Sequence, residues 1–175
     1  MCGIGGMLGQ PDRAVLSRMN DLMKHRGPNG NGTFADDECG LAHVRLAILD
    51  IAGSPQPLHG PGKVGVVNGE IYNHVELRNT SYNYSTNGDS EIILSLHNGK
   101  GSAKEHAKWI SKLDGMFAFA LWSNEQLILA RDPVGIKPLM RTIVGDSLLF
   151  ASEAKALRAH EAYIPEIDEL ALKAR

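Results

Sequence analysis

At 175 residues the chain is long enough for one domain with a real core, and its 43% apolar and 22% charged content is ordinary for a globular protein. A net charge of −2 with no block of like charge argues against nucleic-acid or acidic-membrane binding driven by charge. Two cysteines, Cys2 and Cys39, make no disulfide framework, and there is no basic-flanked leader and no apolar run of about 20 residues, so the expected setting is the cytoplasm, with no membrane span.

In chain order, residues 3–9 set Ile4, Met7 and Leu8 among glycines, which suits a buried strand closely approached by other backbone. Asp12 opens a helix on which Val15, Leu16, Met19, Leu22 and Met23 recur at helical spacing; His25 and Arg26 fall in its last turn and Gly27 ends it. The run Gly27-Pro28-Asn29-Gly30-Asn31-Gly32 predicts a mobile loop. Residues 41–49 predict a strand, with Ala42, Val44, Leu46 and Ile48 on one face and Leu41, His43, Arg45 and Leu49 on the other. A strand over 63–67 runs into Asn68-Gly69-Glu70. Asp89 caps a helix through His97, Asn98-Gly99 ends it, and a second short helix carries Trp109, Ile110 and Leu113.

Residues 116–122 read as an apolar strand with two buried faces, turned by Ser123-Asn124-Glu125 into 126–131. Another hairpin turns at Gly145-Asp146 and returns through 148–151, and Ser152 and Glu153 start a helix through Arg158. Hairpin-linked strands with helices at the ends predict an antiparallel α/β protein. No strand–Gly-rich turn–helix unit argues for a parallel nucleotide-binding sheet.

Cys2 follows Met1 directly, and Gly3 follows it, so removal of Met1 would place a thiol and a free α-amino group on one residue. The thiolate is a nucleophile and the amine a base with pKa about 7.7–8. A Cys at this position, taken alone, is more often just a small apolar residue. Acyl transfer on such a thiol needs donors for an oxyanion. Asn68 and Gly69 offer a side-chain N–H and an unhindered backbone N–H, although Asn-Gly is also the commonest short hairpin turn. Arg45 is the lone charge in an apolar strand and has the fork geometry to hold a carboxylate, or is a surface Arg at a strand edge. Glu70 and Asp89 could accept hydrogen bonds from an ammonium, with Asp89 otherwise a plain helix cap.

Taken together and in order, MCGIGG, HRGPNG, LAHVRLAILD, SPQPL, VVNGEIYNH, NGDSEII, LDGMFAFALW, LARDPVGIKPL and FASEAKAL closely resemble the glutaminase domain of class II glutamine amidotransferases, nearest to glutamine-hydrolysing asparagine synthetase. The resemblance runs from Met1 to about Leu172. It implies an α+β fold of the N-terminal nucleophile hydrolase type, a four-layer αββα sandwich of two antiparallel sheets. It implies that Cys2 is the nucleophile once Met1 is cleaved, with Asn68 and Gly69 as the oxyanion hole. Arg45, helped by backbone of Leu46 and Ile48, would hold the carboxylate of L-glutamine, and Glu70 and Asp89 its amino group. The HRGPNG segment matches the loop that closes over glutamine. No cofactor is implied for glutamine hydrolysis; ATP and magnesium belong to a separate synthetase domain or partner that accepts the ammonia. A homodimer is compatible with this picture.

His25 and His43 invite a Cys–His dyad, but the family uses the terminal amine, so His43 is expected to be structural and Cys39 an incidental free thiol. No Cys/His spacing suits zinc. Arg131, Asp132 and Lys137 are expected to hold a loop. Asn29 stands where the family usually has Asp. The relatives continue past EIDELALKAR into further strands and an SGGxDS-type ATP loop, which is absent here. Residues 2–175 are therefore expected to be one amidotransferase domain truncated at its C-terminal end, without a synthetase domain. A non-catalytic glutamine-binding or regulatory module derived from the same family is the alternative.

Overall fold

The computed structural model describes residues 1–51, 53–167 and 169. Its elements follow in chain order: β1 (Gly3–Leu8), α1 (Arg13–Met23), a 3-10 turn (Lys24–Arg26), β2 (Gly30–Ala35), β3 (Cys39–Arg45), β4 (Leu58–Gly60), β5 (Lys63–Ile71), α2 (His74–Leu77), α3 (Ile92–Leu96), α4 (Ala103–Ile110), β6 (Gly115–Ser123), β7 (Gln126–Arg131), β8 (Met140–Val144), β9 (Ser147–Ala151) and α5 (Ala154–Leu157). The strands form a five-stranded sheet, β2-β3-β1-β9-β8, and a four-stranded sheet, β4-β5-β6-β7. Every strand pair in both sheets is antiparallel.

Alternation along the strands sorts apolar side chains into three cores. Met7 of β1, Ala42 and Val44 of β3, and Leu149 and Ala151 of β9 face α1 and α5, meeting Leu16, Met19, Met23 and Leu157. Val67, Ile71, Phe117, Phe119 and Leu121 face α3 and α4, meeting Ile92, Ile93 and Trp109. Between the sheets lie Ile4, Cys39, Leu41, Val64, Val66, Ala118, Ala120, Trp122 and Phe150. This is the αββα sandwich of two antiparallel sheets that the resemblance implies. Asp12 caps α1 as expected, its side chain accepting from the Ala14 N–H at 2.7 Å, and Ser102 and Glu105 form a reciprocal capping box at the start of α4.

Several expectations change. The glycine-rich run predicted as a mobile loop is partly strand: Gly30–Ala35 pairs along β3 from Gly30↔Arg45 to Ala35↔Gly40, because unhindered backbone satisfies its polar groups on that edge. The strand predicted over 41–49 ends at Arg45, since the backbone of Leu46 turns to the Cys2 sulfur and the Ala47 N–H to Asn29 Oδ1. The strand predicted over 63–67 continues to Ile71, so Asn68-Gly69 lies within a strand and is not a turn. The helix expected from Asp89 begins at Ile92, and Asp89 does not cap it, because its carboxylate is taken by the Ile71 N–H. Strand β4 and helix α2 carry no clear signal in the sequence. The far end of the EIDELALKAR stretch lies outside the described residues. Among the described residues no helix is long and apolar enough to cross a membrane.

Candidate active site

The parity of β5 builds the site. Val64 and Val66 point between the sheets, so Asn68 and Glu70 point the same way, toward the start of β1 and the end of β3. There a cavity of about 160 Å³ is bordered by Cys2, Arg45, Leu46, Ile48, Asn68, Gly69, Glu70 and Asp89, all eight of the residues singled out from the sequence. Ser54, Gln56, Ser90, Met116 and Lys137 complete much of its wall.

Cys2 is half-buried, and its Sγ has both backbone groups of Leu46 beside it: the Leu46 N–H donates to sulfur at 3.3 Å, and the thiol reaches the Leu46 carbonyl at 3.5 Å. Neither histidine forms a hydrogen bond with this sulfur among the described residues. The His25 ring lies 3.0 Å from Glu153, and His43 lies 3.2 Å from the carbonyl of Val67. Burial, aided by Arg45, pushes His43 down to a pKa of about 3 against the pull of that hydrogen bond, so the ring is neutral and Nε2 carries the proton it donates to Val67. Cys39 is fully buried, and burial with Asp36 and Glu38 nearby drives its thiol pKa well upward, which leaves it an inert core residue.

Asn68 is fully buried, and neither Nδ2 nor Oδ1 of its amide has a hydrogen-bond partner among the described residues. A buried, unpaired polar group costs about 1–3 kcal/mol, so this amide on the cavity wall is free to bond whatever enters. Gly69 has φ of 151°, and a Cβ there would collide with the backbone of Met116. Phe117, opposite Gly69, sends its backbone groups to Asp132, at 3.2 Å from its N–H and 2.7 Å to its carbonyl. By antiparallel alternation Gly69 therefore turns its N–H away from β6, to the open edge of β5.

Arg45 is already engaged. Its Nη1 donates to the carbonyl of Ile51 at 2.8 Å and its Nη2 to that of Asp50 at 2.7 Å, so the guanidinium holds the turn that follows β3. Glu70 is half-buried at the cavity wall. Asp89 accepts from the N–H of Ile71 at 2.7 Å and closes the end of β5. Asp132 accepts from the N–H groups of Ile136 and Lys137 at 2.8 and 3.0 Å, and this is how the loop after β7 is held. Burial disfavours the Asp132 charge, but these donors outweigh it and keep its pKa below the usual value. Lys137 is buried, with Nζ 3.3 Å from the sulfur of Met1.

Two supporting side chains were not evident in the sequence. Arg26 reads there as a helix-end cation, yet its Nε donates to the carbonyl of Cys2 at 2.9 Å while Nη1 pairs with Glu153 at 2.9 Å. Gln56 bonds both backbone groups of Val67, beside Asn68. Both act across long sequence separations, which no spacing rule records.

The chain matches the family model described as a glutamine amidotransferase domain over residues 1–175. It is 38% identical over 188 aligned positions to asparagine synthetase [glutamine-hydrolyzing] 1 of Bacillus subtilis, covering 99% of this chain and 29% of that protein. It is 41% identical to asparagine synthetase B [glutamine-hydrolyzing] of Escherichia coli, covering 90% of this chain and 30% of that protein. The chain thus spans less than a third of the length of these relatives. Among solved structures it resembles a glutamine phosphoribosylpyrophosphate amidotransferase from B. subtilis, with TM-score 0.73 at 23% identity, over 90% of this chain and 43% of that one. This last likeness speaks to the fold alone.

Proposed function

The chain belongs to the glutamine amidotransferase domain family, and on that premise we propose that it hydrolyses the side-chain amide of L-glutamine to glutamate and ammonia, with Cys2 as nucleophile after removal of Met1. The observation that carries this reading is the cavity that brings Cys2 together with Asn68, whose buried amide is unpaired. The α-amino group of Cys2, directly or through a water, takes the thiol proton, and the thiolate attacks the amide carbon. The oxyanion lies against the Asn68 side-chain N–H and the Gly69 backbone N–H, each such donor contributing about 3 kcal/mol. The C–N bond breaks as the proton returns to nitrogen and ammonia leaves. Water then cleaves the thioester through the same oxyanion.

Arg45, with backbone of Leu46 and Ile48, holds the glutamine carboxylate, sharing its guanidinium with the carbonyls of Asp50 and Ile51. Glu70 and Asp89 receive the ammonium. This chemistry calls for no cofactor in the domain itself. The ammonia passes to an ATP- and magnesium-using synthetase domain or partner for asparagine-synthetase-type amidation, a reading supported by the names of the curated relatives. Mass spectrometry of purified protein should find Met1 absent, and Cys2→Ala should abolish glutamate release while the fold persists. Activity in the Ala variant would sink the assignment.

A further inference from the structure

We propose that Gln56 is a positioning residue for the oxyanion donors, locking β5 at Val67 so that Asn68 and Gly69 hold their N–H groups where the reaction needs them. The proposal rests on the glutaminase reading above. Strand β4 pairs with β5 only from Gly60↔Lys63 to Leu58↔Gly65. Continuing that register brings Gln56 opposite Val67. Gln56 is flanked there by Pro55 and Pro57, which have no N–H for a ladder. The half-buried side chain of Gln56 takes over: its Oε1 accepts from the Val67 N–H at 2.7 Å, and its Nε2 donates to the Val67 carbonyl at 3.3 Å. The neutral ring of His43 donates to the same carbonyl at 3.2 Å.

Three residues of β5 turn their backbone to this open edge. Val67 is closed by Gln56 and Ile71 by Asp89, while Gly69 between them faces the cavity. The two side chains therefore clamp the strand on either side of the hole. Catalytic donors must stay within about 0.5 Å of their productive place, and a shift of about 1 Å costs on the order of a hundredfold in rate. A mere filler of the sheet edge would affect stability and leave turnover alone.

The test compares wild type, Gln56→Leu and Gln56→Glu in glutamate release. Gln56→Leu should lower kcat at least tenfold, with KM within about threefold. In a Cys2→Ala background it should leave glutamine affinity unchanged. Gln56→Glu can bond both Val67 groups only when its carboxyl is protonated, so its kcat relative to wild type should rise as the pH falls from about 8 to 5. Cys2, His43, Arg45, Glu70, Asp89 and Lys137 face this position in every variant, so the Gln56→Leu ratio, with no carboxyl added, should stay flat. Should Gln56→Leu fail to fold by circular dichroism, the Gln56→Glu profile decides. Wild-type kcat in Gln56→Leu, or a flat Gln56→Glu ratio, overturns the positioning role alone. A wild-type protein without Cys2-dependent glutamate release overturns the glutaminase reading and this inference with it.

Discussion

Arg26 donates from Nε to the carbonyl oxygen of Cys2 at 2.9 Å, so a cation from the turn after α1 holds the peptide that carries the thiol. Its other arm reaches Glu153 at 2.9 Å, just ahead of α5. The Arg26 side chain is 9% exposed, and its Nη2 is buried without a partner among the described residues. The first residue of the proposed mature protein is thereby fixed to both flanks of the helical layer, an arrangement that a nucleophile on a chain terminus requires, since termini fray unless tied down.

Arg26→Gln removes the charge and the fork while keeping a side-chain N–H donor. It should lower kcat for glutamate release about tenfold or more, because a misplaced nucleophile loses near-attack geometry. KM should change less than about threefold, since the glutamine-binding groups lie elsewhere on the cavity. Steady-state kinetics at saturating glutamine checks this; an unaltered kcat would mean that β1 pairing alone positions Cys2.

Glu153 gives a pH signature. Burial disfavours its charge, but hydrogen bonds from Arg26, Lys155 and His25 outweigh burial and hold its pKa at about 2, below the ordinary glutamate value of 4.5. The charged form is therefore the one that stabilises the fold. That contribution is complete above about pH 4.5 and is lost as the pH falls toward 2. Thermal melts from pH 6 to pH 3 should show the wild-type Tm falling more steeply than that of Glu153→Gln. Parallel curves would show that the cluster adds nothing to acid stability.

Much of this arrangement was legible because period-2 patterning is local. The alternation in 41–45 put Arg45 and His43 on one face of β3, and the paired apolar faces of 116–122 marked a central strand. Residues 30–35 were not legible, because glycine-rich backbone pairs without any side-chain signal. Asn68-Gly69 by itself reads as a turn; only its pairing with Ala118 and Phe117 makes it strand. Arg26 and Gln56 escaped for another reason: each meets a backbone group, and a backbone partner has no residue type to recognise.

The two thiols should differ sharply toward alkylation. Cys2 is half-buried at the cavity beside a backbone N–H, whereas Cys39 is sealed between the sheets with its pKa driven up. Brief iodoacetamide treatment at neutral pH followed by peptide mapping should find label on Cys2 and none on Cys39 in folded protein. Glutamine in the buffer should slow the labelling of Cys2. Equal labelling would indicate that the inter-sheet core opens on the timescale of the reaction.

Arg45 bears two demands, and a substitution can separate them. Its Nη1 and Nη2 span the carbonyls of Ile51 and Asp50, which sets the course of the chain beside the cavity, and in the proposed function it also meets the glutamine carboxylate. Lysine keeps the charge but is a single-point donor that cannot span both carbonyls. Arg45→Lys should therefore raise KM about tenfold or more, roughly 1.4 kcal/mol of lost binding. It should change kcat little, because the carboxylate contact is the same in ground and transition states. The same variant should be cut faster than wild type by a nonspecific protease between Leu46 and Ile51, where the backbone loses its tether. A raised KM with unchanged proteolysis would assign Arg45 to substrate alone. Faster cutting with unchanged KM would make it only a loop clamp and would place the carboxylate elsewhere on the cavity wall.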